Sequence, residues 1–454
     1  MATGRRMGQR ERRTFAVATL GCKVNQFDSQ VIREEMRRSG FEEVPFTEEA
    51  DTYIVNTCTV TGRADCQSRQ LIRRAGRLNS KALVIATGCY AEVFPLEASE
   101  LPGVWAVLGN QAKGEIPSIV SRLEEGEKPL VRVPPLVNAP LEGFSVRGFS
   151  GHSRAFLKIQ DGCNGSCSYC IVPRARGRSR SLPPEKALEE LLRLRASGYW
   201  EVVLTGVRLG SYGLDLSPPT SLAEFLHRLE GVEGLPPRIR LSSIEPTDLS
   251  GPLVSAIRDS ERVCPHLHIP LQSGDDEILS RMNRGYTRKD FMSLVVEIVR
   301  SIPSVCVGLD VIGGFPGEDA RHFQNTVDLI ESLPVAYLHV FPFSSRPGTV
   351  ASELPQKVGS SEIRERCRIL RDVGQKKRAA FYSRFLHQRV RILVEGTKTD
   401  GKGLQRGLSR NYIPVWIEPD RRNPSPAGEL EVEITGVRGE KVRGERVAAG
   451  EPVD

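Results

Sequence analysis

The chain has 454 residues, 39% hydrophobic and 26% charged, a balance that fits a folded soluble protein and excludes a disordered or fibrous one. That length exceeds one compact core and, at about 150 residues per domain, predicts about three domains. A net charge of +7 permits a polyanionic partner without requiring one, and no apolar run reaches the roughly 18 residues a membrane span needs, so no membrane partner is expected.

At the N-terminus, Arg5 and Arg6, then residues 15–20, then Gly21 and Cys22 imitate a lipoprotein signal. The apolar part is shorter than a signal core of about 7 residues, which predicts a cytoplasmic protein. Ten cysteines without a secretion signal then read as reduced thiols used as ligands and not as disulfides.

Strands are predicted at residues 15–20, 52–55, 82–86 and 105–108, and helices at 29–38, 63–78 and 116–123. This alternation predicts an open parallel sheet with helices on its faces, over residues 14–126. Cys22, Cys58 and Cys89 each follow one of the first three strands. The carboxyl ends of parallel strands share one edge, where ligands bind, so thiols distant in sequence converge there. Three unrelated buried thiols are the alternative; three in register favour ligands of one cluster. Cys66 falls inside a helix and reads as core or surface. Residues 127–153, with Pro129, Pro134, Pro135 and Pro140, read as an extended connector.

The next stretch, QDGCNGSCSYC, places Cys163, Cys167 and Cys170 on one short loop. An iron–sulfur cube takes roughly one thiolate per iron, so three leave one iron open to a ligand. Gly162 and Gly165 let the backbone curl around it. The alternative, a zinc knuckle, needs a second CxxC or CxxH pair, and none follows.

Six strands are expected at residues 155–159, 202–204, 238–241, 266–269, 305–311 and 337–341, separated by helices such as 185–195, 222–229 and 291–302. Repeated βα units over 154–382 predict a partial (β/α)6 barrel with its chemistry at the strand carboxyl ends. There the chain has the cysteine loop, then Thr205 and Gly206, then Ser242, Ser243 and Glu245. Gln272, Ser273 and Gly274 follow, then Gly313, Gly314 and Gly317, then Phe343 and Ser345. Singly these are turn residues; six sets in register predict a site. His266 and His268 share a strand face and read as a packed pair before they read as metal ligands. The basic run Arg174, Arg176, Arg178 and Arg180 is either a solvated face or, tethered to the cysteine loop, a contact for substrate phosphates or clusters. No GxGxxG or GxxxxGK motif indicates a dinucleotide or ATP site.

A basic helix over residues 362–386 precedes short strands at 390–394, 413–417, 430–434 and 442–447, which predict a small β-barrel over 386–447. Arg406, Arg410, Arg421, Arg422, Lys441 and Arg443 are interleaved with Tyr412 and Trp416, a mixture suited to phosphate contact and base stacking. An ordinary β surface stays open as the alternative, because Glu429, Glu431 and Glu433 share the domain.

The cysteine loop resembles the signature of the radical S-adenosylmethionine enzymes. TLGCKVNQFDS, VNTCTVT and TGCYAE resemble the N-terminal domain of their methylthiotransferase branch, and VRILVEG, GLSRNYIPVWI and GELEVEITGV resemble the RNA-binding TRAM domain. The resemblance implies an α/β enzyme with two 4Fe–4S clusters. Cys163, Cys167 and Cys170 would hold the one whose open iron chelates S-adenosylmethionine. Cys22, Cys58 and Cys89 would hold an auxiliary cluster that carries or supplies the inserted sulfur. LTGVRLGSYG with Thr205 and Gly206, RLSSIEP with Ser243 and Glu245, HIPLQSGDD with Gln272, and DVIGGFPGE with Gly313 would line S-adenosylmethionine. Where the family commonly has an aromatic residue, this chain has Arg174.

The resemblance is nearest to the threonylcarbamoyladenosine-tRNA methylthiotransferases, acting in the anticodon stem-loop of tRNA with an electron donor such as a flavodoxin or ferredoxin. Isopentenyladenosine in tRNA and a ribosomal-protein aspartate are the rival substrates. A non-catalytic RNA-binding protein using its clusters as a redox sensor is the reading from another class, and the six sets of strand-end motifs count against it.

Overall fold

The protein is described by a computed structural model covering residues 13–125, 129–136, 141, 146, 148–149, 153–399, 401, 403–420 and 428–447. Most of the expected connector, and Arg421 and Arg422, lie outside the described residues. The described residues form two compact units, one drawn from 1–137 with Arg174–Arg176, the other from 138–173 and 177–454.

The first unit contains β1 (Thr14–Thr19), α1 (Lys23–Arg38), β2 (Glu42–Glu43), β3 (Thr52–Thr57), α2 (Gly62–Leu78) and β4 (Leu83–Gly88). It continues with α3 (Cys89–Val93), α4 (Pro95–Ser99), β5 (Val104–Leu108), α5 (Ile116–Glu124) and β6 (Leu130–Arg132). The sheet order is β2-β1-β3-β4-β5-β6, every pair parallel. Alternate strand residues feed two cores: Phe15, Ile54 and Ile85 pack with Ile32, Met36 and Ile119 on one face. Ala16, Tyr53, Val55 and Val84 pack with Ile72 and Ala75 on the other. Both faces are covered, which explains strands that read as unbroken apolar runs.

The second unit opens with β7 (Arg154–Lys158) and β8 (Gln160–Asp161), passes through α6 (Val172–Arg176), whose last turn belongs to the first unit, and resumes at β9 (Arg180–Ser181). Then come α7 (Pro184–Ala196), β10 (Glu201–Thr205), α8 (Leu222–Glu230), β11 (Arg238–Leu241), α9 (Gly251–Asp259) and β12 (His266–Gln272). After α10 (Asp276–Arg281) and α11 (Arg288–Ser301) follow β13 (Cys306–Gly313), α12 (Ala320–Ser332), β14 (Tyr337–Pro342), α13 (Val350–Glu353) and α14 (Ser360–Ser383). The six main strands are parallel and fall into two sheets, β11-β10-β7 and β12-β13-β14, with an isolated bridge between Ile239 and Val263 and a hydrogen bond from Ile244 N–H to the His268 carbonyl running between them. The expected partial barrel is thus present, split between its third and fourth strands.

β15 (Arg389–Thr399), β16 (Gln405–Ser409), β17 (Pro414–Ile417), β18 (Glu429–Arg438) and β19 (Lys441–Arg446) close into a barrel in the order β15-β16-β17-β19-β18. Strand β16, sequence QRGLS, was not anticipated from the pattern. It carries only one large apolar residue, and its Gly407 leaves room for Ile392, whose Cδ1 lies 2.5 Å from where a Cβ would stand. The barrel shares a core with the parallel strands: Ile392, Ile413, Val415 and Val432 pack with Cys306, Ala336 and Tyr337.

A polar layer joins the two. Glu201 is fully buried between Arg238 (2.7 Å) and Arg240 (2.7 Å). Arg238 donates to the carbonyls of Leu408 and Ser409, and Arg240 to those of Ser409 and Arg410. The Tyr412 ring stacks on His266 with centroids 4.1 Å apart.

Candidate active site

In the first unit three of the four cysteines sit where a strand turns into a helix. Cys22 precedes α1, Cys58 follows β3, and Cys89 opens α3. Two glycines with positive φ let these turns approach. A Cβ on Gly21 (φ 96°) would stand 2.9 Å from Cys58 Sγ, and one on Gly88 (φ 90°) 2.5 Å from the Thr57 carbonyl.

Side chains then tie the turns together. Asn25 Nδ2 donates to the carbonyls of Leu20 (2.7 Å) and Thr57 (2.9 Å), bridging the turns of Cys22 and Cys58. The Thr57 hydroxyl donates to the Thr87 carbonyl and accepts from the amides of Tyr90 and Ala91, bridging those of Cys58 and Cys89. Burial, then the neighbouring Cys89, pushes the Cys58 thiol up to about 12, with Cys22 adding to the rise and Arg176 opposing it. Each sulfur therefore lies within electrostatic reach of Cys58. Cys66, in α2, is exposed.

In the second unit the Cys163–Cys170 loop leaves β8 through Gly162 (φ 75°), where a Cβ would stand 2.0 Å from the Arg178 carbonyl. Gly165 N–H donates to Cys163 Sγ (3.2 Å) and Arg284 Nη1 to Cys167 Sγ (3.3 Å). Ser168 donates through its amide to Met282 O (3.0 Å) and through its hydroxyl to Arg281 O (2.7 Å). Asn283 donates to Ser166 O. Arg284 also pairs with Glu245. Gln160 links the loop to the second strand end, donating to Gly162 O (2.7 Å) and accepting from Arg208 N–H (2.8 Å). A Cβ on Gly206 would stand 2.6 Å from Gln160 Oε1.

Burial raises the Cys163 thiol and pushes that of Cys170 up to about 12. Burial also raises Glu245, against the Arg284 charge. Arg281, Asn283 and Arg284, which brace the loop from the end of α10 and the turn after it, were missed at the sequence level, where the only signal was a polar cluster at the end of a short helix.

The remaining expected residues take these places. Thr205 is buried at the end of β10, Ser243 is half-buried just beyond β11, and Gln272 ends β12 at φ 66°. Gly313 ends β13 with its would-be Cβ 3.1 Å from Cys367 Sγ in α14, so packing of that helix accounts for its missing side chain. His266 and His268 form the expected packed pair. Both bond the Tyr337 hydroxyl (2.9 and 3.0 Å), and His268 Nε2 lies 2.7 Å from Asp310.

Among the described residues, His268, Asp310 and His339 are the group of three ligand atoms lying within 4.8 Å of one another. Sulfur-only donor sets of three suit an iron–sulfur cluster with one open iron.

Part of the basic surface expected to meet RNA is used internally. Arg410 pairs with Glu429 (2.8 Å) and donates to the carbonyls of Glu261 and Pro237, while Arg406 pairs with Glu395 (3.0 Å). Tyr412 is held against His266. Trp416, Lys441 and Arg443 instead line a cavity of about 560 Å³ with Leu404, Thr435, Gly436, Arg438 and Glu445.

Residues 157–330 match the Radical SAM superfamily, and residues 14–109 match the family described as Uncharacterized protein family UPF0004. The Threonylcarbamoyladenosine tRNA methylthiotransferase MtaB of Aquifex aeolicus (strain VF5) is 40% identical, over 89% of this chain and 96% of the relative. Its namesake from Bacillus subtilis (strain 168) is 36% identical over 88% and 90%. The chain belongs to the MtaB-type radical SAM methylthiotransferases. A tRNA-2-methylthio-N(6)-dimethylallyladenosine synthase of Pelotomaculum thermopropionicum is also similar to this methylthiotransferase, 34% identical over 93% and 95%. Among solved structures, the radical S-adenosylmethionine methyltransferase TsrM from Kitasatospora setae shares the fold, with a TM-score of 0.58 at 17% identity over 75% of this chain and 77% of that one.

Proposed function

We propose that the protein converts N6-threonylcarbamoyladenosine beside the tRNA anticodon to its 2-methylthio derivative. The observation that carries this reading is the gathering of two separate thiol triplets at strand carboxyl ends, in a chain 36–40% identical to relatives bearing that name.

Cys163, Cys167 and Cys170 would hold one 4Fe–4S cluster, and Cys22, Cys58 and Cys89 a second. When bound, an iron–sulfur cluster with an open iron supplies the electron and the coordination site for reductive cleavage of S-adenosylmethionine, and a second supplies the site for sulfur. Arg284 donates to Cys167 and, with Glu245, fixes the loop against β11. Gln160 holds the Thr205–Gly206 turn against the loop, where Thr205, Gly206, Ser243, Glu245, Gln272 and Gly313 would border S-adenosylmethionine. Asn25 and Thr57 keep the auxiliary thiols on one edge. Trp416, Lys441 and Arg443 of the TRAM-like barrel would stack on and neutralise the RNA. A flavodoxin or ferredoxin would deliver the electron, in the cytoplasm.

The test is mass spectrometry of tRNA nucleosides from cells with and without this gene. Loss of the methylthio mass on threonylcarbamoyladenosine alone is expected. Loss on the dimethylallyl nucleoside would keep the chemistry and reassign the substrate; no change in either would overturn the tRNA reading.

A further inference from the structure

Arg176 follows Cys170 by six positions and lies within the basic run, yet it is 2% exposed and packs within the first unit. Its guanidinium pairs with Asp28 (3.1 Å) and donates to the side-chain oxygen of Asn25. Asp28 in turn meets Lys113 Nζ at 2.6 Å, and both are buried. Asn25 spends its N–H donors on the carbonyls just before the Cys22 and Cys58 turns. An amide can point either way, and Arg176, a donor with no acceptor, fixes the oxygen toward itself and the donors toward the cysteine turns.

Charges buried in low dielectric act over longer distances than exposed ones. A three-thiolate cluster is anionic and becomes more so on reduction, and nearby charge and hydrogen bonds set its potential.

We propose that Arg176 is the positioning and charge-setting residue of the Cys22/Cys58/Cys89 cluster: through Asn25 it holds two thiolate turns in place, and by its charge it favours the reduced form. The inference rests on the reading that these thiols hold an iron–sulfur cluster. It assigns to the auxiliary site a residue whose place in the sequence associates it with the S-adenosylmethionine site.

The experiment uses the full chain with Cys163, Cys167 and Cys170 changed to Ala, reconstituted anaerobically with iron and sulfide. The midpoint is read by paramagnetic resonance during a dithionite titration. About four irons per chain are expected. Arg176→Gln should shift the midpoint to a more negative potential and broaden the signal; Arg176→Lys should move it back toward the parent. Asp28→Asn, which removes the opposing charge, should shift it the other way.

If the parent takes up no iron, the cluster reading falls and this inference with it. If it takes up iron and the Arg176→Gln and Asp28→Asn midpoints both match the parent, this inference alone falls. Should Arg176→Gln fail to fold, the Asp28→Asn shift decides by itself, an unmoved midpoint overturning the inference.

Discussion

Glu201 shows how a single buried charge is made tolerable. Burial alone would raise its carboxyl, but Arg240 and Arg238 outweigh that and bring it down to about 2. The folded value lies below the ordinary value of about 4.3, so Glu201 contributes stability above that pH and loses it as pH falls toward about 2. Glu201→Gln leaves Arg240 buried without its carboxylate and Arg238 with only Glu429 at 3.3 Å, and breaking such a buried pair costs about 3–5 kcal/mol. The variant should therefore unfold at lower denaturant than the parent at pH 7, with the gap closing as pH falls from about 5 to about 2. Equal midpoints at pH 7 would show that the network carries no net stability. The Gln variant keeps the side chain's size, so no cavity is added to the loss of the charge and of one acceptor oxygen.

Among the turns, Gly162 is the one the cysteine loop depends on. Its φ of 75° and the 2.0 Å gap to the Arg178 carbonyl admit no side chain. If both thiol triplets hold clusters as proposed, Gly162→Ala should release the loop from the Gly177–Arg178 backbone and cut the iron content of the reconstituted protein toward half. A variant that binds as much iron as the parent would sink this account. The same elements show what the sequence reveals. Strands buried on both faces advertise themselves as apolar runs, and Cys22, Cys58, Cys89 and the Cys163–Cys170 loop could be placed because each directly follows such a run. The edge strands β2 and β6 escaped, being two or three residues long and carrying charge. Arg176 escaped for a different reason: a charge run looks solvated, and nothing local reveals that Asp28 and Asn25, about 150 positions away, bury one member of it. Likewise Arg410 and Tyr412 read as RNA contacts because the carboxylate and ring that engage them come from other segments.

At the scale of the whole chain, the C-terminal barrel looks like an appended module in sequence, but its packing makes it part of the second unit. Ending the chain after Gln388 would remove Ile392, Ile413, Val415 and Val432 from a core shared with Tyr337 and Cys306. It would also strip Arg238 and Arg240 of carbonyl acceptors, and each buried donor left unsatisfied costs about 1–3 kcal/mol. The truncated chain should therefore be insoluble, or soluble without dithionite-dependent cleavage of S-adenosylmethionine. Parental cleavage by a soluble truncated chain would instead make the barrel dispensable to the core. Point changes on its cavity should behave differently, because Lys441 and Arg443 line that cavity and take no part in the polar layer around Glu201. Lys441→Ala with Arg443→Ala should leave S-adenosylmethionine cleavage intact while weakening tRNA binding and lowering the salt slope by roughly one per lost phosphate contact. Trp416→Ala should weaken binding by about 1–3 kcal/mol if a base stacks there, with the salt slope unchanged. The slope thus separates a charge contact from a stacking contact, and unchanged tRNA affinity in both variants would place the RNA on another face.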